Sequence, residues 1–341
     1  MAQAKISKLG GYPMEDRNDL INKKKSSVAL LSVISNTVLV LLKLTVGMMI
    51  GSVSVISEAI HSSVDLLAAL IALLAVRASG KPADTEHPFG HGKFENMSGT
   101  VEALLIFLAA GWIIFEAVKK LKNPEPLEEV GWGVAVMLIG SAANILVSKA
   151  LFKVGKETDS VALQADAWHL RTDVYTSAGV MAGLALIWIG RFLLPGTDLD
   201  WIDPVAAIGV ALLIIKAAYK LTLESSRDLL DVSLPNDEEA CIKKRIAAFA
   251  PTVRGFHRLC TSKSGSHRFV EFHMIVGPSM TIDESHRIAD MLTCSIKQQF
   301  PGATVHIHIE PCNCHSATES KCNCFLNEED KEALFGKLLI I

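Results

Sequence analysis

The chain has no excess of basic charge: 33 Lys and Arg against 36 Asp and Glu give a formal net charge of -3 over 341 residues. Proteins built on nucleic acid carry a basic patch or stripe, so nucleic acid is set aside as the main partner. A cleavable leader pattern is missing too. Residues 1–25 are polar and basic, and the apolar run after them is too long for a signal-peptide core and has no small-residue cleavage site. None of the seven cysteines falls in an apolar run. Cys241, Cys260 and Cys294 are scattered, as free thiols in a cytosolic domain would be. Cys312, Cys314, Cys322 and Cys324 cluster near the C-terminus, where metal binding or redox chemistry fits better than a disulfide framework. Nothing resembling a nucleophile motif occurs.

What the chain does have is apolar sequence in blocks. Half its residues are hydrophobic and the mean hydropathy is +0.34. A spanning helix needs roughly 20 apolar residues, and six segments qualify: 28–50, 54–76, 101–118, 132–152, 160–187 and 202–221. Lys and Arg are dense before the first segment and recur between the second and third (Arg77, Lys81, Lys93) and between the fourth and fifth (Lys149, Lys153, Lys156). The positive-inside rule then puts both termini in the cytoplasm, with Lys119, Lys120 and Lys122 as a mild conflict. After residue 220 the composition turns polar and mixed. Periodicity predicts a helix at 237–249, strands near 255–261 and at 267–276, a helix at 283–300 and a strand at 303–309, the order of a sheet with helices on one face. The expected architecture is a membrane α-helical domain of six transmembrane helices (1–224), a cytoplasmic α+β domain (225–311) and a Cys-rich tail (312–341).

Four constellations carry chemistry. The first is His61 with Asp65 in the second segment, repeated as His169 with Asp173 in the fifth. Residues i and i+4 share one helix face. An ionisable group inside the bilayer is costly, which makes it a functional-site hypothesis. Two imidazoles and two carboxylates are ligand types for a tetrahedral divalent ion, above all zinc, and the carboxylates neutralise its charge. The bland alternative is a polar pair that caps or staples helices. Glu58 and Asp166, three residues before each His, are candidate partners of the ligands or extra proton carriers. Because a metal-bound His must be neutral, protons compete with the ion, and proton-for-metal antiport follows as a hypothesis. The second constellation is Asp84, His87 and His91 in a polar loop where Gly90 and Gly92 allow tight turning; incidental histidines are the alternative. The third is His257, His273, His286, His308 and Glu310 in the polar domain, against the alternative of ordinary surface histidines. The fourth is Cys312, Cys314 and His315 with Cys322 and Cys324, suited to soft zinc or copper(I) ligation, although the spacing is not that of a standard zinc finger.

Taken together, the paired His-x-x-x-Asp motifs, Pro82-Ala83-Asp84 leading to His87-Pro88-Phe89-Gly90-His91-Gly92-Lys93, and His308-Ile309-Glu310-Pro311 resemble the cation diffusion facilitator family, in particular its bacterial zinc-transporting members. The resemblance runs from about Lys23 to Pro311. It implies a homodimer of six-helix protomers in the bacterial cytoplasmic membrane, with ferredoxin-like cytoplasmic domains that dimerise, and zinc (Zn2+) efflux driven by proton influx. It implies that His61, Asp65, His169 and Asp173 form the transport site. It matches Asp84, His87 and His91 to a loop site, and His257, His273, His286, His308 and Glu310 to a two-ion regulatory site that steadies the dimer. Lys93 and Asp231 match a pair that joins the two halves. Some members carry Asp at the position of His61 and also accept cadmium, so His61 implies a tighter preference for zinc. The tail after Pro311 lies outside the family core.

Three rival readings stay open on the sequence. The first is efflux of a broader range of divalent metals, iron, cadmium and cobalt among them. The second is a membrane metal sensor without transport, which predicts a degenerate intramembrane site. The third is a membrane metallohydrolase, which needs an open metal position and a general base that neither His-x-x-x-Asp pair supplies.

Overall fold

The computed structural model describes residues 14–50, 53–122, 132–193 and 201–312. The chain divides into two compact units, Met1–Leu229 and Leu230–Ile341.

The first unit is helical because lipid leaves no partner for a free backbone N–H or C=O, so long apolar runs must satisfy those groups internally. Among the described residues six helices follow in order: α1 (Met14–Ile50), α2 (Val53–Ser79), α3 (Lys93–Lys122), α4 (Trp132–Glu157), α5 (Val161–Leu193) and α6 (Ile202–Leu229). Among the described residues five helices hold stretches long and apolar enough to cross a membrane: Asp19–Met49, Ser62–Ser79, Lys93–Lys122, Leu138–Glu157 and Pro204–Leu229. The remaining expected span, 160–187, falls in α5, whose side chains are described only as far as Gly179.

The bundle is small inside and bulky outside. Ala68, Ala69, Ala72, Ala103, Ala110, Ala162, Ala165, Ala211 and Ala218 are fully buried, whereas Leu104, Leu108, Trp112 and Phe115 line an exposed side of α3. Small residues let helix backbones approach closely where lipid removes the hydrophobic drive to pack. At Gly99 the approach is so close that a Cβ would sit 2.6 Å from Ser225 Oγ on α6.

The helices outrun their apolar cores. The basic cluster Lys23-Lys24-Lys25, expected ahead of the first helix, lies within α1, and α3 starts at Lys93 rather than near residue 101. Buried ion pairing explains the extension. Lys25 Nζ donates to Glu95 Oε1 at 2.9 Å, with both side chains about as buried as the apolar core. Glu95 also accepts from Ser79 Oγ at 2.7 Å and from Ser160 Oγ. One carboxylate thus ties together α1, α2, α3 and the residue that precedes α5.

The second unit orders its elements as α7 (Asn236–Ala247), β1 (Val253–Ser264), β2 (His267–Val276), α8 (Ile282–Gln299) and β3 (Thr304–Pro311). The sheet order is β1-β2-β3, β1 antiparallel and β3 parallel to β2. A parallel pair needs a crossover, which α8 provides. Strand alternation sends Val270, Phe272, Met274 and Val276 into a core with Ile242, Ile246, Ile288, Leu292 and Ile296 from the two helices. The opposite face carries the polar residues, and the expected helix-strand-strand-helix-strand order is the one observed.

Candidate metal sites

Within the membrane unit, Asp65 on α2 and His169 and Asp173 on α5 each present a ligand atom within 4.8 Å of the others. His169 Nε2 lies 3.1 Å from Asp65 Oδ1, and both side chains are buried. The other ring nitrogen, His169 Nδ1, has no hydrogen-bond partner among the described residues. Asp173 accepts from Asn144 Nδ2 on α4 at 3.4 Å. The i, i+4 spacing on α5 places His169 and Asp173 on one face, and α2 brings Asp65 across to it. His61 belongs to the same helix one turn before Asp65, but its side chain lies outside the described residues, as does that of Glu58. A buried imidazole between two carboxylates fits a divalent cation, whose charge they offset. Asn144 was not anticipated from the sequence, although an amide inside an apolar run is a signal of the same kind.

In the loop between α2 and α3, Asp84, His87 and His91 form a second group of ligand atoms within 4.8 Å of one another. Asp84 Oδ1 accepts from the backbone N–H of His87 at 2.7 Å and of Glu86 at 3.0 Å. These bonds, that of His87 foremost, hold the exposed Asp84 carboxyl below its ordinary range. His91 Nε2 is 3.2 Å from Asp84 Oδ2 and His87 Nδ1 is 3.4 Å from Asp84 Oδ1, with the two imidazole centroids 4.4 Å apart. Gly90 sits at φ +85°, a left-handed turn that costs glycine nothing and brings His91 back towards Asp84.

The second unit builds the third group on strand register. His257, His273 and His308 occupy one cross-strand row over β1, β2 and β3. Glu310 lies two residues beyond His308 on the same face. His257 Nε2 is 2.9 Å from Glu310 Oε2, and His273 Nδ1 is 2.7 Å from Glu310 Oε1. The hydrogen bonds from His257 and then His273 hold the Glu310 carboxyl below its usual value. His308 Nε2 is 3.6 Å from Glu310 Oε1 and largely exposed. His257, His273 and Glu310 meet the ligand-distance test; the donor set suits zinc, with imidazole and carboxylate together. His286 stands apart from this group on α8, exposed and 3.6 Å from Asp290 one turn on.

Of the C-terminal cysteines, only Cys312 is described: it is buried, and its N–H donates to Val276 O at 2.9 Å. Cys314, His315, Cys322 and Cys324 lie outside the described residues. Lys93 opens α3 in the first unit, and Asp231, at φ 54°, follows α6 in the second.

The cation efflux transmembrane domain matches residues 29–230 and the cation efflux protein cytoplasmic domain matches 234–312. An uncharacterized transporter of Synechocystis is 36% identical over 79% of this chain and 85% of its own. The cation-efflux pump FieF of Cronobacter sakazakii is 33% identical over 84% of this chain and 93% of its own. A solved structure of CzrB in its Zn form shares 34% identity over 23% of this chain and 90% of that one, with a TM-score of 0.21. The two domains follow one another across nearly the whole described chain, and the chain belongs to the cation efflux, or cation diffusion facilitator, family of membrane transporters.

Proposed function

We propose that this transporter exports zinc from the cytoplasm in exchange for protons, working as a homodimer with both termini cytoplasmic. The observation that supports it best is the buried convergence of Asp65, His169 and Asp173 from two helices. His61 completes a four-ligand zinc set by its position on α2. Zinc is the cargo at this site. Two carboxylates offset its charge in a low-dielectric surrounding, and imidazole favours it over metals that prefer all-oxygen sites. Bound metal requires neutral imidazole, so a proton on His61 or His169 competes with the ion. Acid on the outer side then discharges metal, and the less acid cytoplasm strips the protons again.

The His257–His273–Glu310 group reads cytoplasmic zinc and steadies the dimer, with His286 and His308 completing the ligand sets; Asp84, His87 and His91 hold a further ion in the loop. A sensor without transport has no use for a complete intramembrane ligand set. Efflux of a wider metal range is the reading to separate by experiment. Zinc, iron, cobalt and cadmium uptake is measured in inverted vesicles at two pH values, with wild type, His61→Ala and Asp173→Ala. Zinc flux is expected in the wild type and lost in both variants. Zinc flux that survives both substitutions ends the transport-site reading, and flux indifferent to an imposed pH gradient ends the proton exchange.

A further inference from the structure

The bundle holds a second buried polar group that the metal ligands do not use. Glu102 on α3 and Asp166 on α5 are both fully buried and interact electrostatically with each other. Glu102 Oε1 accepts from Ser98 Oγ one turn earlier on its own helix at 3.1 Å. Glu102 Oε2 and both Asp166 carboxyl oxygens have no hydrogen-bond partner among the described residues. A third helix points at the same place. Ser32 on α1 is fully buried with its side chain in hydrogen-bonding reach of Asp166, although the two do not meet in good hydrogen-bond geometry; Asn36, one turn further along α1, leaves its buried Nδ2 without a partner among the described residues.

Orphaned buried polar atoms are rare, and each needs an explanation. The charged groups that face the pair are His169 on α5 and Asp65 on α2. α1 contributes neutral Ser32 and Asn36. α6 packs against this level of α3 and α5, at Ala103 and Ala165, with Ile214, Ala218 and Leu221. The chain neighbours of Glu102 and Asp166, Ala103 and Ala165, pack in one cluster, and two ionised carboxylates at that level of the bundle repel each other. A proton on one of them removes a charge and converts an acceptor into a donor. The unmatched hydroxyl and amide are the partners a bound water needs. Zinc fits less well, since the pair offers neither imidazole nor thiolate.

We propose that Glu102 and Asp166 form a proton-binding carboxyl pair, distinct from the metal ligands, placed between the Glu95 tie and the Asp65–His169–Asp173 site. This rests on the proton-exchange reading above and locates part of the proton load. Asp166 precedes His169 by three residues, about 4.5 Å along the helix. A dication at His169 therefore weakens the pair's hold on its proton, and the carboxylic O–H gives that proton up to water as metal binds.

The test uses the purified full-length protein, zinc as the only metal, and a pH-indicator dye in weakly buffered solution to count protons released per zinc bound. Glu102→Gln and Asp166→Asn are each expected to lower that count by about one per protomer relative to wild type, and Glu102→Asp to restore it. A wild type that binds zinc but releases no protons sinks the exchange reading itself. A wild type that releases protons, with both variants releasing as many, overturns only the pair. Should the variants fail to fold, infrared difference spectra of the wild type decide. A protonated carboxyl C=O band that disappears on adding zinc supports the pair, and the absence of such a band overturns it.

Discussion

Asn144 braces one of the candidate membrane ligands from a neighbouring helix. Its Nδ2 donates to Asp173 across 3.4 Å, from a helix that carries none of the ligands. Outer partners of this kind orient ligands, and losing one typically costs 10–100-fold in metal affinity. Asn144→Ala is expected to weaken zinc binding by roughly that factor, read by competition with a zinc dye, while Asp173→Ala removes membrane-site binding altogether. Asp65, His169 and Asp173, which the structure brings together, stood out in the sequence because each is an ionisable group inside an apolar run with a partner four residues away. Asn144, Ser32 and Asn36 carry no charge, and Glu102 has no partner four residues away, so the pairing pattern passed over them although each lies in an apolar run; helix packing is what brings Asn144 to Asp173 and Ser32 to Asp166. His267 makes the pH argument at the same scale. Burial first, then Lys297 and Arg268, hold this imidazole below its ordinary value of 6.5, while Nε2 lies 2.9 Å from Thr304 Oγ1. Below about pH 6.5 the unfolded imidazole takes up a proton that the folded one resists, so stability falls with acid until the folded group also titrates. Hydrogen exchange of β2 and β3 in the full chain should quicken over that window, and less so in His267→Gln.

At the level of elements, alternation and capping made the second unit readable. The strand expected at 267–276 is β2 with both ends in place, and the helix expected at 283–300 is α8, Ile282–Gln299. Its start is written locally: the Thr281 side chain accepts from the Glu284 N–H at 3.2 Å, and Glu284 accepts from the Thr281 N–H at 3.0 Å, a capping box. Thr281→Ala should destabilise this unit by about 1 kcal/mol in denaturant unfolding. The edge strand β1 was expected too short at both ends: it runs Val253–Ser264, with a bulge between His257 and Cys260 inside the expected stretch. The membrane helices were likewise expected too short. Hydropathy marks where lipid is, whereas the helix continues until its end chemistry stops it. Glu95 lies beyond the apolar run yet is among the most buried residues of α3. Glu95→Ala takes from buried Lys25 its 2.9 Å partner and should cost about 3 kcal/mol. The thermal stability of the purified chain should drop sharply, and adding Lys25→Met should recover most of the loss; a single variant as stable as wild type would refute the tie.

The whole molecule divides its candidate metal-ligand groups between two compact units, and that division is itself testable. The intramembrane group lies in the unit ending at Leu229, and the His257–His273–Glu310 group in the unit that begins at Leu230. The two groups also differ in surroundings. Asp65 and His169 are buried among helices, shut off from ligands supplied by solvent. The histidine row lies on the sheet face opposite the core, with His308 64% exposed, open to a further ligand from solvent or from a second copy of the chain. A zinc ion there links three strands whose ends are far apart in sequence, so binding should slow the opening of the sheet by mass action. In the full-length protein, zinc is expected to protect β1, β2 and β3 from hydrogen exchange in the wild type and in Asp65→Ala, but not in a His273→Ala/Glu310→Ala variant. The second variant should still take up zinc at the membrane site, which Asp65→Ala should not. If Asp65→Ala also abolished protection of the sheet, the two sites would be one coupled system, and the division of labour argued from these two ligand groups would be wrong.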